Sequence, residues 1–251
     1  AVGVFAGCSS SEEPAETTEG TEEGAEATGE KYIIATDTVF PPFEFTNEDG
    51  DFVGIDVDII NAIAEDQGID VEIQSLGFDA ALLAVQSGQA DGVIAGMSIT
   101  DERKQSFDFS EPYFDADVTM AVAKGSDVKS YEDLAGKTVA VKTATNGADF
   151  AKSIADEYGF TVVEFKDSPT MYQDVIAGNT AACFEDYPVM AYNIQQGAEL
   201  EMPEGATAAG TQYGFAVAKG QNAELLEKFN TGLANIKENG KFQEIVDTYT
   251  K

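Results

Sequence analysis

The chain has 251 residues, 43% of them hydrophobic, enough for a core in one large or two small domains. Its 46 acidic residues against 14 basic ones give a formal charge of −32, so nucleic acid and anionic lipid headgroups repel it and drop out as partners. Histidine is absent, and Cys8 and Cys183 are the two cysteines, far apart in the chain; the commonest general base and metal ligand are missing, and neither a disulfide framework nor a metal-ligand cluster is spelled out. No run approaches the ~18 apolar residues that a membrane span needs.

Residues 1–8, AVGVFAGC, read as the end of an apolar secretory segment and resemble a bacterial lipobox, in which Cys8 would be lipidated. Phe5 departs from the aliphatic residue usual three places before that cysteine. Residues 9–30 contain only Ser, Glu, Pro, Ala, Thr and Gly, eight of them Glu, and cannot bury a core; a disordered tether is expected. A flexible chain of that length reaches about 25 Å on average, lengthened by self-repulsion.

From Lys31 onward short apolar runs alternate with amphipathic stretches. Strands are expected at 32–35, 71–73 and 92–95, with helices at 57–67 and 79–87, the first ended by Gly68. A second set begins near Val118: strand 138–141, helix 148–158, strand 161–165, helix 170–177 and strand 181–184. Residues 212–218 (QYGFAVA) read as one further strand, and amphipathic helices at 224–239 and 242–250 close the chain. Alternation of strand and helix argues for parallel sheets covered by helices, with ligands bound at the carboxyl ends of strands. Polar clusters sit at such ends: Thr36–Asp37, Gly96–Ser98, Lys142–Thr145 and Glu185–Asp186.

One basic residue stands apart. Arg103 is the only arginine among thirteen lysines, and a guanidinium fork matches a carboxylate with two parallel hydrogen bonds that an ammonium cannot reproduce. Thr100 is placed to cap the turn that carries it. The competing reading is a surface arginine paired with Glu102 or Glu111.

Six stretches, in order and at consistent spacing, carry a family resemblance. Ala35-Thr36-Asp37-Thr38-Val39-Phe40-Pro41-Pro42-Phe43-Glu44-Phe45, then Gly54-Ile55-Asp56-Val57-Asp58, look like the opening of the polar-amino-acid-binding proteins of ABC importers. Ala95-Gly96-Met97-Ser98-Ile99-Thr100-Asp101-Glu102-Arg103 and Phe109-Ser110-Glu111-Pro112-Tyr113 match the most diagnostic segment, and Val139-Ala140-Val141-Lys142 and Phe184-Glu185-Asp186-Tyr187-Pro188 add the second half. Over residues 31–251 the chain resembles bacterial solute-binding protein family 3, closest to its glutamine-binding branch.

The resemblance implies an α/β, two-lobed fold of the periplasmic-binding-protein type II kind, each lobe a mostly parallel sheet flanked by helices. Lobe 1 would comprise residues 31–112 and 214–251, lobe 2 residues 118–208, and the hinges residues 113–117 and 209–213. It further implies a monomeric, lipid-anchored protein on the extracellular face of the cell membrane (the periplasmic side in a Gram-negative cell), delivering a free amino acid to a permease without cofactor or metal. Arg103 would hold the α-carboxylate, with Ser98 and Thr145 donating to the same group and the helix following Asn146 lending its N-terminus. Asp186, the Gly96 carbonyl and the Ser98 hydroxyl would accept from the ammonium, and Phe40 and Phe78 would sandwich the ligand's stem. Side-chain selectivity would rest on Asp37 and Lys142, one accepting and one donating, a pair that suits a primary amide and disfavours glutamate and cationic ligands. Glutamine is the favoured ligand; glutamate, asparagine and other polar amino acids remain open.

Departures from the family pattern are Ala144 and Asn146, where glycines are usual. Glu185 beside Asp186 would, if it reached the cleft, shift preference towards cations. Cys183 reads as a small buried strand residue. A dehydratase-like enzyme and a sensory binding protein are the rival classes for such a fold, and no histidine or metal constellation supports the enzyme.

Overall fold

The computed structural model describes residues 30–251; the Cys8 lipobox and residues 9–29 of the expected tether lie outside the described residues. The elements run β1 (Lys31–Thr36), β2 (Phe45–Thr46), β3 (Phe52–Val53), α1 (Ile55–Gln67), β4 (Asp70–Ser75), α2 (Phe78–Gln86), β5 (Gly92–Val93), β6 (Phe107–Phe109) and β7 (Phe114–Ala123). They continue with β8 (Thr138–Lys142), α3 (Asn146–Tyr158), β9 (Thr161–Phe165), α4 (Ser168–Ile176), β10 (Ala182–Asp186), α5 (Tyr187–Gln195) and β11 (Leu200–Glu201). The chain ends with β12 (Thr207–Tyr213), β13 (Ala216–Ala218), α6 (Ala223–Glu238) and α7 (Lys241–Thr250).

Two sheets organise two lobes. Lobe 1 holds the order β4-β1-β5-β13-β6, and lobe 2 the order β11-β7-β10-β8-β9 with β12 also on β7. Each sheet has the expected parallel centre, β4-β1-β5 in one and β10-β8-β9 in the other. The remaining strands, β13, β6, β7, β11 and β12, pair antiparallel, an arrangement that alternation of strand and helix does not announce. A chain that leaves one lobe and comes back must run against its outgoing strand, and β7 and β12 lie side by side from Phe114–Tyr213 onward.

The apolar spacing builds these lobes as physical chemistry directs. In α1, Ile55, Ile59, Ile60 and Ile63 form one buried stripe, packed in the same core as Leu225, Phe229, Leu233 and Ile236 of α6. Gly68 ends α1 in the left-handed conformation, and Asp56 and Asp58 in its first turn suit the positive end of the helix. In lobe 2, every residue of β10 is buried, which marks it as a strand covered on both faces. Cys183 lies in that strand as expected, fully buried, and burial pushes its thiol pKa upward, away from reactivity.

Two sequence expectations change. Residues 212–218 are not one strand: β12 ends at Tyr213 in the lobe 2 sheet, Gly214 turns, and β13 starts in the lobe 1 sheet. A Cβ at Gly214 would sit 2.9 Å from the Ile99 side chain, so close packing holds the break. Helix α5, which follows Asp186 directly, is not among the expected elements; Asp186 stands at its N-cap but makes no side-chain capping bond.

Candidate functional site

The cleft between the lobes is built from strand ends and the turns that follow them. A small, partly open cavity with about 10 Å³ of free space is lined by Phe40, Phe78, Gly96, Ser98, Arg103, Lys142, Thr145 and Asp186, together with Ala95 and Asn146. Eight of the nine residues singled out from sequence thus share one wall-to-wall space; Asp37, the ninth, lies behind Lys142 and holds it.

Asp37 directly follows β1 and Lys142 ends β8, so their meeting spans the two lobes. The Lys142 ammonium donates to Asp37 Oδ2 in an ion pair from which solvent is almost excluded. Asp37 Oδ1 accepts from the Thr38 amide at 2.6 Å. Lys142 Nζ also lies 4.5 Å from the centroid of the Phe40 ring and 5.5 Å from that of Phe78. The two aromatic rings therefore flank a cation here, each such contact contributing about 0.5–2 kcal/mol when desolvated. Expectation and structure differ in one respect: the two selectivity residues face each other directly.

Arg103 stands in a short 3₁₀ turn, Arg103–Gln105, with Glu102 at its N-cap; just upstream, Thr100 Oγ1 accepts from the Arg103 amide at 3.2 Å and holds the start of the turn. The half-buried guanidinium reaches both lobes, Nη1 donating to the Ser98 carbonyl at 2.7 Å and Nη2 to the Ala144 carbonyl at 2.6 Å. Its Cζ lies 5.4 Å from the Phe78 centroid. Neither Glu102 nor Glu111 pairs with it. Burial lowers the Arg103 pKa while Asp149, Asp186 and Glu102 raise it, so the cation sits in an acidic surround. Ala144 adopts φ 63°, a left-handed conformation that costs an L-residue ~1–2 kcal/mol and explains why glycine is the easier choice at this turn.

Thr145 is the N-cap of α3: its Oγ1 accepts from the Ala148 amide at 3.1 Å and donates to the Lys142 carbonyl at 2.7 Å. Its hydroxyl is committed to the backbone, and Asn146, the first residue of α3, lines the cavity beside it. Asp186 accepts from the Tyr213 hydroxyl on β12, a buried partner absent from the sequence reading because a tyrosine in an apolar strand looks like core. Burial, then Glu185 nearby, raises the Asp186 pKa to about 7, against the lowering effect of Tyr213, Arg103 and Lys142.

Glu185 does not reach the cleft. Its carboxylate turns into lobe 2 and accepts from Ser168 Oγ and Tyr172 Oη, each at 2.8 Å, and from the Asp186 amide at 2.9 Å. Successive strand residues point to opposite faces, so with Asp186 in the cavity Glu185 must point away. Gly96 sits at φ 51°, and a Cβ there would lie 2.6 Å from the Phe40 ring, so only glycine lets the backbone line this wall. Among the described residues no group of three or more His, Cys, Asp or Glu could hold a metal ion, and no helix is long and apolar enough to cross a membrane.

Comparison with known proteins gives a consistent picture. The family described as bacterial extracellular solute-binding proteins, family 3, matches residues 32–251. The arginine-binding extracellular protein ArtP of Bacillus subtilis is 31% identical over 223 residues, 88% of this chain and 87% of that protein. Substrate-binding domain 2 of Lactococcus lactis GlnP, solved in an open conformation, is 47% identical over 88% of this chain and 96% of its own, with a TM-score of 0.62. An ancestral arginine-binding protein bound to arginine is 38% identical, over 88% and 98% of the two chains, yet superposes better, with a TM-score of 0.82. An ancestral arginine-binding protein bound to glutamine gives 39% identity, coverage of 88% and 97%, and a TM-score of 0.80.

Proposed function

Because the chain belongs to the bacterial extracellular solute-binding proteins, family 3, we propose that it captures a polar amino acid, glutamine foremost, between its two lobes and presents it to an ABC importer. At the coarser level it is an amino-acid-binding protein of such an importer, working outside the cytoplasm, and a binding protein rather than an enzyme. The observation that carries the finer reading is the gathering of Arg103, Asp186 and the Lys142–Asp37 pair around one cavity.

In this reading Arg103 exchanges its two carbonyl partners, Ser98 and Ala144, for the ligand's α-carboxylate, a charge-assisted bidentate pair in place of two neutral acceptors. The first-turn amides of α3 support the same carboxylate. Asp186 takes the ammonium, with the Gly96 carbonyl and Ser98 beside it. Phe40 and Phe78 grip the stem, and the ligand's amide inserts between Lys142 and Asp37, accepting from one and donating to the other. A guanidinium or ammonium side chain would have to lie against the Lys142 ammonium, and a carboxylate against Asp37.

Arg103 to Ala144 and Lys142 to Asp37 are contacts between lobes in this structure, and in this reading the ligand takes the place of both as the bridge that favours the closed arrangement a permease would recognise. The better superposition on ligand-bound relatives than on an open domain nearer in sequence supports this reading of closure. Lipidation of Cys8, on the resemblance of the N-terminal sequence, and a monomeric state, on the resemblance to the family, complete the proposal.

Arginine is the second reading, favoured by the arginine-binding name of the Bacillus relative. Melting of the purified chain against all twenty amino acids tests both, since a ligand of the folded state raises Tm. The largest rise is expected with L-glutamine. A largest rise with L-arginine replaces glutamine and keeps the class, and no rise with any amino acid overturns the site.

A further inference from the structure

Behind the cavity wall lies a cluster of buried groups that ligand capture as described above does not use. Glu44, in the turn after Phe40, and Asp56, in the first turn of α1, are both fully buried, and the Tyr113 side chain at the start of the hinge is 3% exposed. Asp56 Oδ2 accepts from the Gly96 amide at 2.6 Å, and Gly96 lines the cavity. Both carboxyl oxygens of Glu44, Asp56 Oδ1 and the Tyr113 hydroxyl are buried without a well-formed hydrogen bond, although Glu44 and the Tyr113 phenol both lie against Asp56. Ionised carboxylates only accept, so two of them facing each other satisfy nothing. The charged groups around Glu44 are Asp56, Asp37 and Lys142, with the Tyr113 phenol beyond Asp56, and the one cation among them is already committed to Asp37.

We propose that Glu44 keeps its proton in the folded protein and donates it to Asp56, forming with Tyr113 a buried unit that positions the Gly96 backbone for the ligand. A second buried negative charge with no cation would cost several kcal/mol, whereas a shared proton satisfies one orphaned atom on each acid. The proton belongs on Glu44 because Asp56 already receives the Gly96 amide, which stabilises its ionised form. The turn is set by the same residue, for Glu44 and Phe40 bridge through their backbones, so the proton ties together the Phe40 ring and the Gly96 wall. Burial and the neighbouring Asp56 and Asp37 raise the Glu44 pKa well above its ordinary value, and burial raises that of Asp56 to about 6. Folding therefore takes up a proton that the unfolded chain releases at ordinary carboxylate pH. The resulting stability is complete at low pH and is lost as pH rises through the folded-state pKa.

The role of Gly96 as a ligand contact rests on the proposed amino-acid site, but the proton does not, and the experiments separate the two. Carbon NMR of glutamate-labelled, ligand-free protein, with Glu44 assigned by its loss in E44Q, is expected to show a protonated carboxyl at pH 7; an ionised one overturns the proposal. Melting of E44Q is expected to match the parent protein near pH 5 and to exceed it by about 3 °C or more at pH 8; parallel profiles overturn it. The Gly96 amide proton, strongly deshielded by its short bond to Asp56, is expected to stay in place in E44Q, which can still donate, and to move upfield in E44M, which cannot. With L-glutamine as titrant, E44Q is expected to bind within roughly threefold of the parent and E44M to bind about tenfold more weakly, the loss of one hydrogen bond's worth of positioning. Equal amide shifts or equal affinities in E44Q and E44M reduce Glu44 to a packing residue. If the chain prefers another amino acid, the carbon, melting and amide measurements still decide the matter.

Discussion

Two acidic centres are buried in the same wall of lobe 1, and they are neutralised in opposite ways. Asp37 meets Lys142, which arrives from the other lobe, whereas Glu44 meets Asp56 from within its own lobe. On the proposed opening of the lobes the first pair would be exposed to water and both charges hydrated separately. The second lies within lobe 1, fully buried and with no cation of its own, so a proton is what relieves it. Position relative to the moving boundary decides the chemistry: a charge buried by closure can be matched by a partner across the cleft, and a charge buried by folding must be matched locally.

The largest effect should come from the cleft's other interlobe cation. Arg103→Lys is expected to weaken L-glutamine binding by about 3 kcal/mol, roughly 100-fold by calorimetry, because a single ammonium cannot replace the fork that joins both lobes. Unchanged affinity would place the carboxylate elsewhere.

Lys142→Met breaks the contrast directly. Closure would then bury Asp37 unpaired, so glutamine affinity should fall about tenfold or more while arginine, now able to supply the missing cation, gains relative to it. The ligand-free melting temperature should hardly change, because opening rehydrates Asp37. A large drop in Tm would mean that Asp37 is buried by folding and not by closure.

The third test uses pH. Asp186 is ionised only above about 7 in the folded protein, and a ligand ammonium favours its ionised form, so binding releases a proton below that pH. Affinity should rise with pH by up to about tenfold per unit until near 7 and then level off, while Asp186→Asn binds weakly at every pH with a flat profile. A sloping profile in the asparagine variant assigns the titration to another group.

The smallest effect is expected at Ala144. Relief of its left-handed strain in Ala144→Gly, offset by the greater freedom of glycine in the unfolded chain, should raise stability by about 0.5–1 kcal/mol, read as a small upward shift in melting. A lower Tm would show that Ala144 contributes packing that outweighs its strain.

Much of this molecule is legible in its residue order. The stripe of α1, the punctuation at Gly68, the parallel centres of both sheets and the lone Arg103 held by Thr100 follow from periodicity and local hydrogen-bonding chemistry. The division of 212–218 at Gly214 is not legible, because seven residues of strand-like composition do not reveal that neighbouring stretches join different sheets. Tyr213 escaped notice for a related reason: its ring belongs to the core and only its hydroxyl belongs to Asp186. Glu185 was ambiguous beside Asp186 until β10 was placed, when alternation along the strand sent one carboxylate to the cavity and the other to Ser168 and Tyr172.

By itself the sequence determined most of the helices and the parallel strands, where their polar ends lie, and that an arginine fork stands among them, since these depend on neighbours a few positions away. The tertiary structure alone decided that Asp37 and Lys142 meet, 105 positions apart, and that Glu44 and Asp56 face each other with no cation between them. Pairing of buried charge depends on which surfaces come to exclude water together, and that is a property of the packed lobes.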